Sequence, residues 1–258
     1  MIQRGAEFLT RKGLESPRLQ VELLLAHLLG MPRLKLYLNF ERVLSEAELE
    51  TMRGFIKRRG EREPLQHILG STSFCGLEIT VNRDVLIPRP ETELLAERAW
   101  DFLNQRASRQ PQPPRALDFG TGSGCLAIAL AVHCPTAEIH ATDISAAAIA
   151  VARQNALRHQ VGERVRFHTG EHFAALPPEL RFDLLVSNPP YIPSGDIEHL
   201  QPEVRDFDPH PALDGGADGL DFYRFLAEQA PSWLAPLGRV MLEFGDGQET
   251  ALPDIFQR

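Results

Sequence analysis

From residue 116 onward, short apolar runs alternate with longer stretches of helical periodicity, and this alternation restricts the fold more than any other feature of the chain. A strand, a helix and a second strand in succession form a parallel pair with the helix packed on one face of the sheet. The pattern therefore predicts an α/β fold with a doubly wound parallel sheet. The predicted strands are ALDF, EIHAT, VRFH, FDLLVS and RVMLEF, and the predicted helices are 124–133, 145–160 and 220–235.

The first sixty residues differ from the rest, because they have helical patterns throughout. Ser16 and Pro17 predict one helix start, and Ser45 with Glu48 forms a capping-box pattern that predicts another. This part holds 11 Lys or Arg against 7 Glu, whereas the rest of the chain holds 16 basic against 28 acidic residues. We expect a small helical bundle at 1–69 with a partner of its own. Its second helix carries Arg53, Lys57, Arg58 and Arg59, which form either an exposed, solvated face or a docking surface.

Between these parts, residues 70–88 contain two short β-type runs separated by Asn82, Arg83 and Asp84, and they predict a linking β-hairpin. A helical stretch, PRPETELLAERAWDFLNQR, follows and opens the larger domain at 89–258. Segment 191–217 is rich in proline, glycine and charge. A loop of that length in a compact domain is usually a lid or a binding surface.

Composition excludes several classes of protein. No apolar run approaches the ~18 residues of a membrane-spanning helix, and the N-terminus lacks the pattern of a secretory signal. We therefore expect a cytoplasmic protein with no membrane partner. Cys75, Cys125 and Cys134 have neither disulfide nor zinc-site spacing, so we expect small buried side chains and no metal.

The strongest chemical signal lies where strand ALDF runs into Gly120, Gly122 and Gly124 and then a helix. Such a turn presents backbone N–H groups at the sheet edge and suits a nucleotide-like ligand, although a tight structural turn is the alternative. The Gly-Lys-Ser/Thr of a P-loop is absent, and a dinucleotide fingerprint would need glycine at the position of Cys125. Asp143, at the end of the next strand, either accepts hydrogen bonds from two ribose hydroxyls or favours the following helix start.

A second signal is Asn188-Pro189-Pro190-Tyr191 at the end of strand FDLLVS. The prolines fix the backbone and remove two N–H donors, so carbonyl groups face the pocket without competing donors. The Asn188 side-chain oxygen and the Pro189 carbonyl can accept both hydrogens of a planar amide or amine nitrogen, while Tyr191 packs against the flat group. The alternative is an ordinary turn after a strand.

Together these motifs resemble S-adenosylmethionine-dependent methyltransferases that act on planar nitrogen. The stretches EPLQHILG, IPRPETELL and VRDFDPHPALDGGADGLDFYR further resemble the peptide-chain release factor glutamine methyltransferase family, over about residues 16–250. The resemblance implies a Rossmann-like class I methyltransferase domain. It also implies methylation of the glutamine in the Gly-Gly-Gln motif of class I release factors, which the helical domain helps to hold.

The resemblance also assigns site residues. Its catalytic and substrate motif falls on Asn188, Pro189, Pro190 and Tyr191, and its cofactor contacts fall on Asp118, Gly120, Thr121, Gly122, Ser123, Gly124, Asp143, His172 and Asn188. His172 departs from the family, which commonly has a broader aromatic residue beside the adenine. Family members continue past the helix that begins near Gly247 into a final pair of strands, whereas this sequence stops at Arg258. We therefore expect a domain without those strands, with RVMLEF at the edge of the sheet.

Two rival functions use the same residues. An adenine-N6 methyltransferase of DNA or RNA also holds a planar amine, but the acidic balance after residue 60 disfavours nucleic-acid binding. A catalytically silent, cofactor-binding adaptor is the other. The intact Asn188 to Tyr191 motif disfavours it.

Overall fold

The computed structural model describes residues 1–257 and divides the chain into two compact units. The first comprises Met1–Ser71 together with Gln201–Phe207, and the second comprises Thr72–Leu200 and the residues from Asp208 onward. The segment Gln201–Phe207 lies within the range that the sequence assigns to the larger domain, and it groups here with the helical unit. No helix among residues 1–257 is long and apolar enough to cross a membrane.

The first unit is helical, as predicted. Its helices are α1 (Ile2–Arg11), α2 (Pro17–Leu28), α3 (Arg33–Leu38), α4 (Glu46–Gly60) and α5 (Leu65–Leu69). The helices bury one apolar core, which includes Leu9, Val21, Leu24, Met52 and Ile56. The capping box is confirmed: Ser45 Oγ accepts from the Glu48 N–H at 3.2 Å, and Glu48 Oε2 accepts from the Ser45 N–H at 2.7 Å.

The expected exposure of Arg59 is wrong. Its side chain is 7% exposed and donates to Glu203 Oε1 at 2.9 Å and to Gln20 Oε1 at 2.5 Å. Glu203 lies in the short helix Pro202–Arg205, numbered α9 below, and pairs with Arg62 as well. A buried guanidinium is stable only when its donors are satisfied, and here they are.

The hairpin exists, but its turn was misplaced. Strands β1 (Ser71–Phe74) and β2 (Leu77–Thr80) pair around Cys75 and Gly76, which have φ of +50° and +75°. Positive φ at both central residues is the geometry that matches the twist of a two-residue hairpin. The predicted turn at Asn82 is instead a local turn, in which Asn82 Oδ1 accepts from the Asp84 N–H at 2.9 Å.

The second unit contains the predicted parallel sheet. Its strands are β3 (Arg115–Phe119), β4 (Glu138–Asp143), β5 (Val165–Thr169), β6 (Phe182–Ser187) and β7 (Leu234–Leu242). They lie in the order β5-β4-β3-β6-β7, and all four pairings are parallel. The helices are α6 (Pro90–Ala107), α7 (Cys125–His133), α8 (Ala146–Arg158), α9 (Pro202–Arg205), α10 (Asp221–Gln229) and α11 (Leu252–Phe256).

Side chains that alternate along the strands feed two cores, one on each face of the sheet. Ala116 and Val186 pack with residues of α6, α7 and α8, whereas Leu117 and Leu185 pack with Leu226 of α10. The predicted α/β fold with a doubly wound parallel sheet is thereby confirmed. Strand β7 lies at the sheet edge, as expected from RVMLEF, although it begins earlier than predicted.

The long segment 191–217 is more ordered than a loop. It contains short 3-10 helices at Ser194–His199 and His210–Ala212 in addition to α9. Further 3-10 turns lie at His172–Ala175 and Ala230–Trp233.

Candidate functional site

The three glycines that follow β3 have two different structural roles. Gly120, Gly122 and Gly124 all have positive φ, between +54° and +83°, which L side chains rarely adopt. A Cβ built on Gly120 or Gly122 would meet no atom within 4 Å, whereas one on Gly124 would lie 3.0 Å from Ala152 of α8. The first two glycines therefore leave space for a ligand to approach the backbone, and the third allows two helices to pack closely.

Hydrogen bonds to residues of strands β3 and β4 hold the glycine loop in place. The N–H groups of Gly120 and Thr121 donate to the Thr142 carbonyl at 2.9 and 2.8 Å. Asp118 Oδ2 accepts from Thr121 Oγ1 at 2.6 Å and from the Ala127 N–H at 3.0 Å. Asp118 is 1% exposed, and burial raises its pKa to about 7 against the opposing effect of these two hydrogen bonds. Asp118 thus supports the loop from inside the sheet edge.

Asp143, at the end of β4, lies against the same loop. Its Oδ2 accepts from the Gly122 N–H at 2.8 Å, and its Oδ1 accepts from the Ser145 N–H at 2.9 Å. A carboxylate has about four lone-pair positions, so both oxygens keep the capacity to accept ribose hydroxyls. The acid therefore holds the loop and the start of α8, and a contact with a cofactor ribose stays a prediction.

Asn155, which the sequence analysis missed, is the main anchor of Ser123. It is fully buried in α8, and its Nδ2 donates to the carbonyls of Ser123 and Thr80 at 2.9 and 3.0 Å. Its Oδ1 accepts from the Thr80 N–H at 2.8 Å. The available signal was an asparagine on the apolar stripe of a helix, where a polar side chain needs buried partners.

The corner formed by Asn188, Pro189 and Tyr191 lies beside the glycine loop. Strand β6 pairs with β3 in the register that sets Val186 opposite Asp118, and Ser187 Oγ donates to the Phe119 carbonyl at 2.5 Å. Because parallel strands end at the same sheet edge, both motifs emerge side by side.

Both predicted acceptors of the corner are unpaired among the described residues. Asn188 Nδ2 donates to Thr92 Oγ1 at 3.1 Å, whereas Asn188 Oδ1 and the Pro189 carbonyl have no hydrogen-bond partner within residues 1–257. Tyr191 is held by Gln248, whose Nε2 donates to the Tyr191 carbonyl at 3.0 Å. Burial raises the pKa of the Tyr191 phenol, so the ring is uncharged.

His172 lies on a cavity of about 650 Å³ that Pro190 also lines. Its φ is +52°, its side chain is 45% exposed, and its ring centroid is 4.1 Å from that of Phe225. The histidine is thus at the site, and its ring already packs on a phenylalanine. A flanking contact with a cofactor adenine stays a prediction.

The combined geometry fits S-adenosylmethionine. Open backbone at Gly120 and Gly122 suits the methionine and ribose portions, Asp143 has acceptors for the ribose, and the corner suits a planar nitrogen. Bound there, the cofactor supplies a methyl group on a positively charged sulfur. Fold and site together define a Rossmann-like, class I S-adenosylmethionine-dependent methyltransferase.

Comparisons with known proteins identify the family. Residues 1–70 match the family described as PrmC N-terminal domain, and residues 99–200 match the Methyltransferase small domain. A release factor glutamine methyltransferase from Geobacter sulfurreducens is 48% identical over 251 residues, which cover 97% of this chain and 85% of the relative. One from Chlorobaculum tepidum is 44% identical over 246 residues, covering 94% and 83%. The chain belongs to the release factor glutamine methyltransferase family.

A solved structure supports the fold alone. The hMettl16 catalytic domain in complex with MAT2A 3′UTR hairpin 6 matches with a TM-score of 0.51 and 13% identity, covering 83% of this chain and 73% of the other. At that identity, the likeness concerns architecture and carries no argument about substrate.

Titration of Asp118 gives a testable pH dependence. Because burial raises its pKa from 3.8 to about 7, the folded chain binds one proton more than the unfolded chain between those values. The free energy of unfolding of the wild type should therefore fall as pH rises through this range. Asp118→Asn removes the titration, so the wild type should lose a few kcal/mol relative to the variant, at about 1.4 kcal/mol per pKa unit.

The measurement is urea unfolding without cofactor, followed by tryptophan fluorescence between about pH 4.5 and pH 7.5. Both tryptophans, Trp100 and Trp233, lie in the second unit, so the signal reports the unit that contains Asp118. Parallel pH curves for wild type and variant would contradict the buried titration.

Proposed function

We propose that this protein transfers the methyl group of S-adenosylmethionine to the side-chain amide nitrogen of the glutamine in the Gly-Gly-Gln motif of class I peptide-chain release factors. The observation that supports this proposal most directly is a pair of oxygens beside the glycine loop, Asn188 Oδ1 and the Pro189 carbonyl, which have no hydrogen-bond partner among the described residues. A primary amide has two N–H groups, and a dry pocket must satisfy both. Family membership supports glutamine as the amide.

The corner solves a specific chemical problem. An amide nitrogen is a poor nucleophile because its lone pair is delocalised into the carbonyl. Asn188 and Pro189 hold both N–H bonds, fix the plane of the group and aim the nitrogen at the methyl carbon. Held at the glycine loop, S-adenosylmethionine would supply an electrophilic methyl group, and the methylated amide nitrogen would give up one proton to water or to a nearby carbonyl.

An exocyclic amine of adenine also has two N–H bonds on a planar nitrogen, so the corner alone does not exclude a nucleic-acid substrate. The charge distribution argues against it. Residues 61–258 hold 16 basic against 28 acidic residues, whereas a nucleic-acid surface is basic. We therefore favour a protein substrate.

Removal of the Asn188 amide should abolish turnover. In Asn188→Ala, one acceptor for the substrate N–H is lost, and we expect kcat to fall by at least ~100-fold, the effect of deleting one preorganised hydrogen-bonding group. The measurement is transfer of tritiated methyl from the cofactor to a purified release factor. Asn82→Ala, at an exposed loop asparagine of the same unit, is the matched control and should keep full activity.

A release factor whose Gly-Gly-Gln glutamine is replaced by alanine should accept no label. Labelling of that variant, or near-normal turnover by Asn188→Ala, would contradict the proposed function. Methyl transfer to a nucleic acid in place of the release factor would favour the rival substrate.

We also propose that the helical unit docks the release factor. Four apolar side chains on and after α3 face solvent: Leu34, Leu38, Phe40 and Val43 are 72%, 81%, 80% and 89% exposed. The four side chains lie within ten residues of one another, and gathered exposed apolar side chains are typical of a protein interaction site. These side chains belong to the helical unit, in which basic residues outnumber acidic ones. This location supports a partner distinct from the cofactor.

The double variant Leu38→Ser/Phe40→Ser should weaken the release factor and spare the chemistry. We expect its KM for the release factor to rise about tenfold, since two exposed anchors are lost, with kcat and cofactor affinity unchanged. Leu237→Ser, at a position 84% exposed in the second unit, is the control and should keep the wild-type KM. An unchanged KM in the double variant would remove this surface from the docking proposal.

A further inference from the structure

Three side chains form a hydrogen-bond chain behind the substrate corner. Asn188 Nδ2 donates to Thr92 Oγ1 at 3.1 Å, and Thr92 Oγ1 donates to Glu243 Oε2 at 2.6 Å. Thr92 is 2% exposed in the first turn of α6, and Glu243 directly follows β7. The chain joins a helix start, a strand end and the corner, and the function proposed above gives it no role.

The direction of the chain is fixed by which groups can donate. An ionised carboxylate only accepts, so the Thr92 hydroxyl hydrogen points at Glu243. The lone pairs of that hydroxyl then face Asn188 and can be satisfied only by an N–H. Burial raises the pKa of Glu243, and the hydrogen bond from Thr92 opposes this rise, as expected for a donor directed at the carboxylate.

The direction matters because the two ends of an asparagine amide have nearly the same shape. With Nδ2 held inward, Oδ1 is the end that meets a substrate. In the flipped orientation, Asn188 would present N–H donors to the N–H donors of a glutamine amide, and Oδ1 would face the Thr92 lone pairs. Both contacts would become repulsive.

We propose that Thr92 and Glu243 are positioning residues that lock the Asn188 amide with Oδ1 toward the substrate nitrogen. Neither touches the reacting atoms, and both act through Asn188. The inference rests on the proposed function, in which Oδ1 accepts a glutamine N–H. It adds the two residues that make the corner an acceptor and not a donor.

Removing the Glu243 carboxylate should reverse the direction of the hydrogen bond between Thr92 and Asn188. In Glu243→Met the Thr92 hydroxyl loses its acceptor and can donate to Asn188 Oδ1, which favours the flipped amide. We expect kcat to fall about tenfold, the factor that one hydrogen bond contributes, with an unchanged KM for the cofactor. Adding Thr92→Val removes the donor that stabilises the flip, so the double variant Thr92→Val/Glu243→Met should regain activity, to within about threefold of wild type.

Recovery in the double variant is the decisive readout, because a merely structural role for these residues predicts losses that accumulate. A double variant no more active than Glu243→Met, or a folded Glu243→Met with wild-type kcat, would overturn the proposal. Melting temperature and binding of S-adenosylhomocysteine establish that each variant is folded.

A second pair of variants keeps Glu243 and applies if Glu243→Met does not fold. Thr92→Ser retains the hydroxyl and should match wild type, whereas Thr92→Val loses it and should have a kcat about two- to threefold lower. Equal kcat values in this pair would overturn the proposal. If wild type itself transfers no methyl group to the release factor, the proposed function fails, and that result is distinct from every variant outcome.

Discussion

The parallel pairing of β3 with β6 is the constraint on which the site depends. It sets Asp118 opposite Val186 and ties Ser187 to the Phe119 carbonyl, so the glycine loop and the proline corner leave the sheet at adjacent points. In the proposed function neither motif acts alone, because one would offer backbone to a cofactor and the other would offer acceptors to a substrate. Their adjacency follows from backbone hydrogen bonding, the least adaptable part of the fold.

Around this pairing, buried polar side chains keep the two motifs in place. Asn155 fastens the glycine loop to α8, Asp118 supports it from within, and Gln248 holds Tyr191. Such groups stabilise a site because breaking one leaves its partners unpaired in a dry interior. The same logic extends to Thr92 and Glu243, whose hydrogen bonds hold the Nδ2 end of Asn188 and, in our proposal, decide which end meets the substrate.

Much of this could be predicted from the sequence, because local signals agree with the fold. The alternation after residue 116 specified the sheet, the capping box at Ser45 specified a helix start, and the glycine pattern specified the loop. The supporting residues could not be predicted in the same way. Thr92 and Glu243 are 151 positions apart, and only the folded sheet brings them to Asn188.

The errors have physical causes as well. Arg59 was expected to be exposed because it lies in a basic run, but Glu203, far along the chain, pairs with it and permits burial. The hairpin turn was expected at Asn82, yet Cys75 and Gly76 adopt the positive φ that closes the strands. For Arg59 a distant ion-pair partner outweighed the local composition, and for the hairpin the backbone conformation of two residues did.

The central claim is that Asn188 Oδ1 and the Pro189 carbonyl together hold both hydrogens of a planar nitrogen. A crystal structure of the protein with S-adenosylhomocysteine and a release factor tests it most directly. The account predicts the Gly-Gly-Gln side-chain nitrogen within about 3 Å of both oxygens and directed at the sulfur. A glutamine amide bound elsewhere, or met by Nδ2 of Asn188 in place of Oδ1, would contradict it.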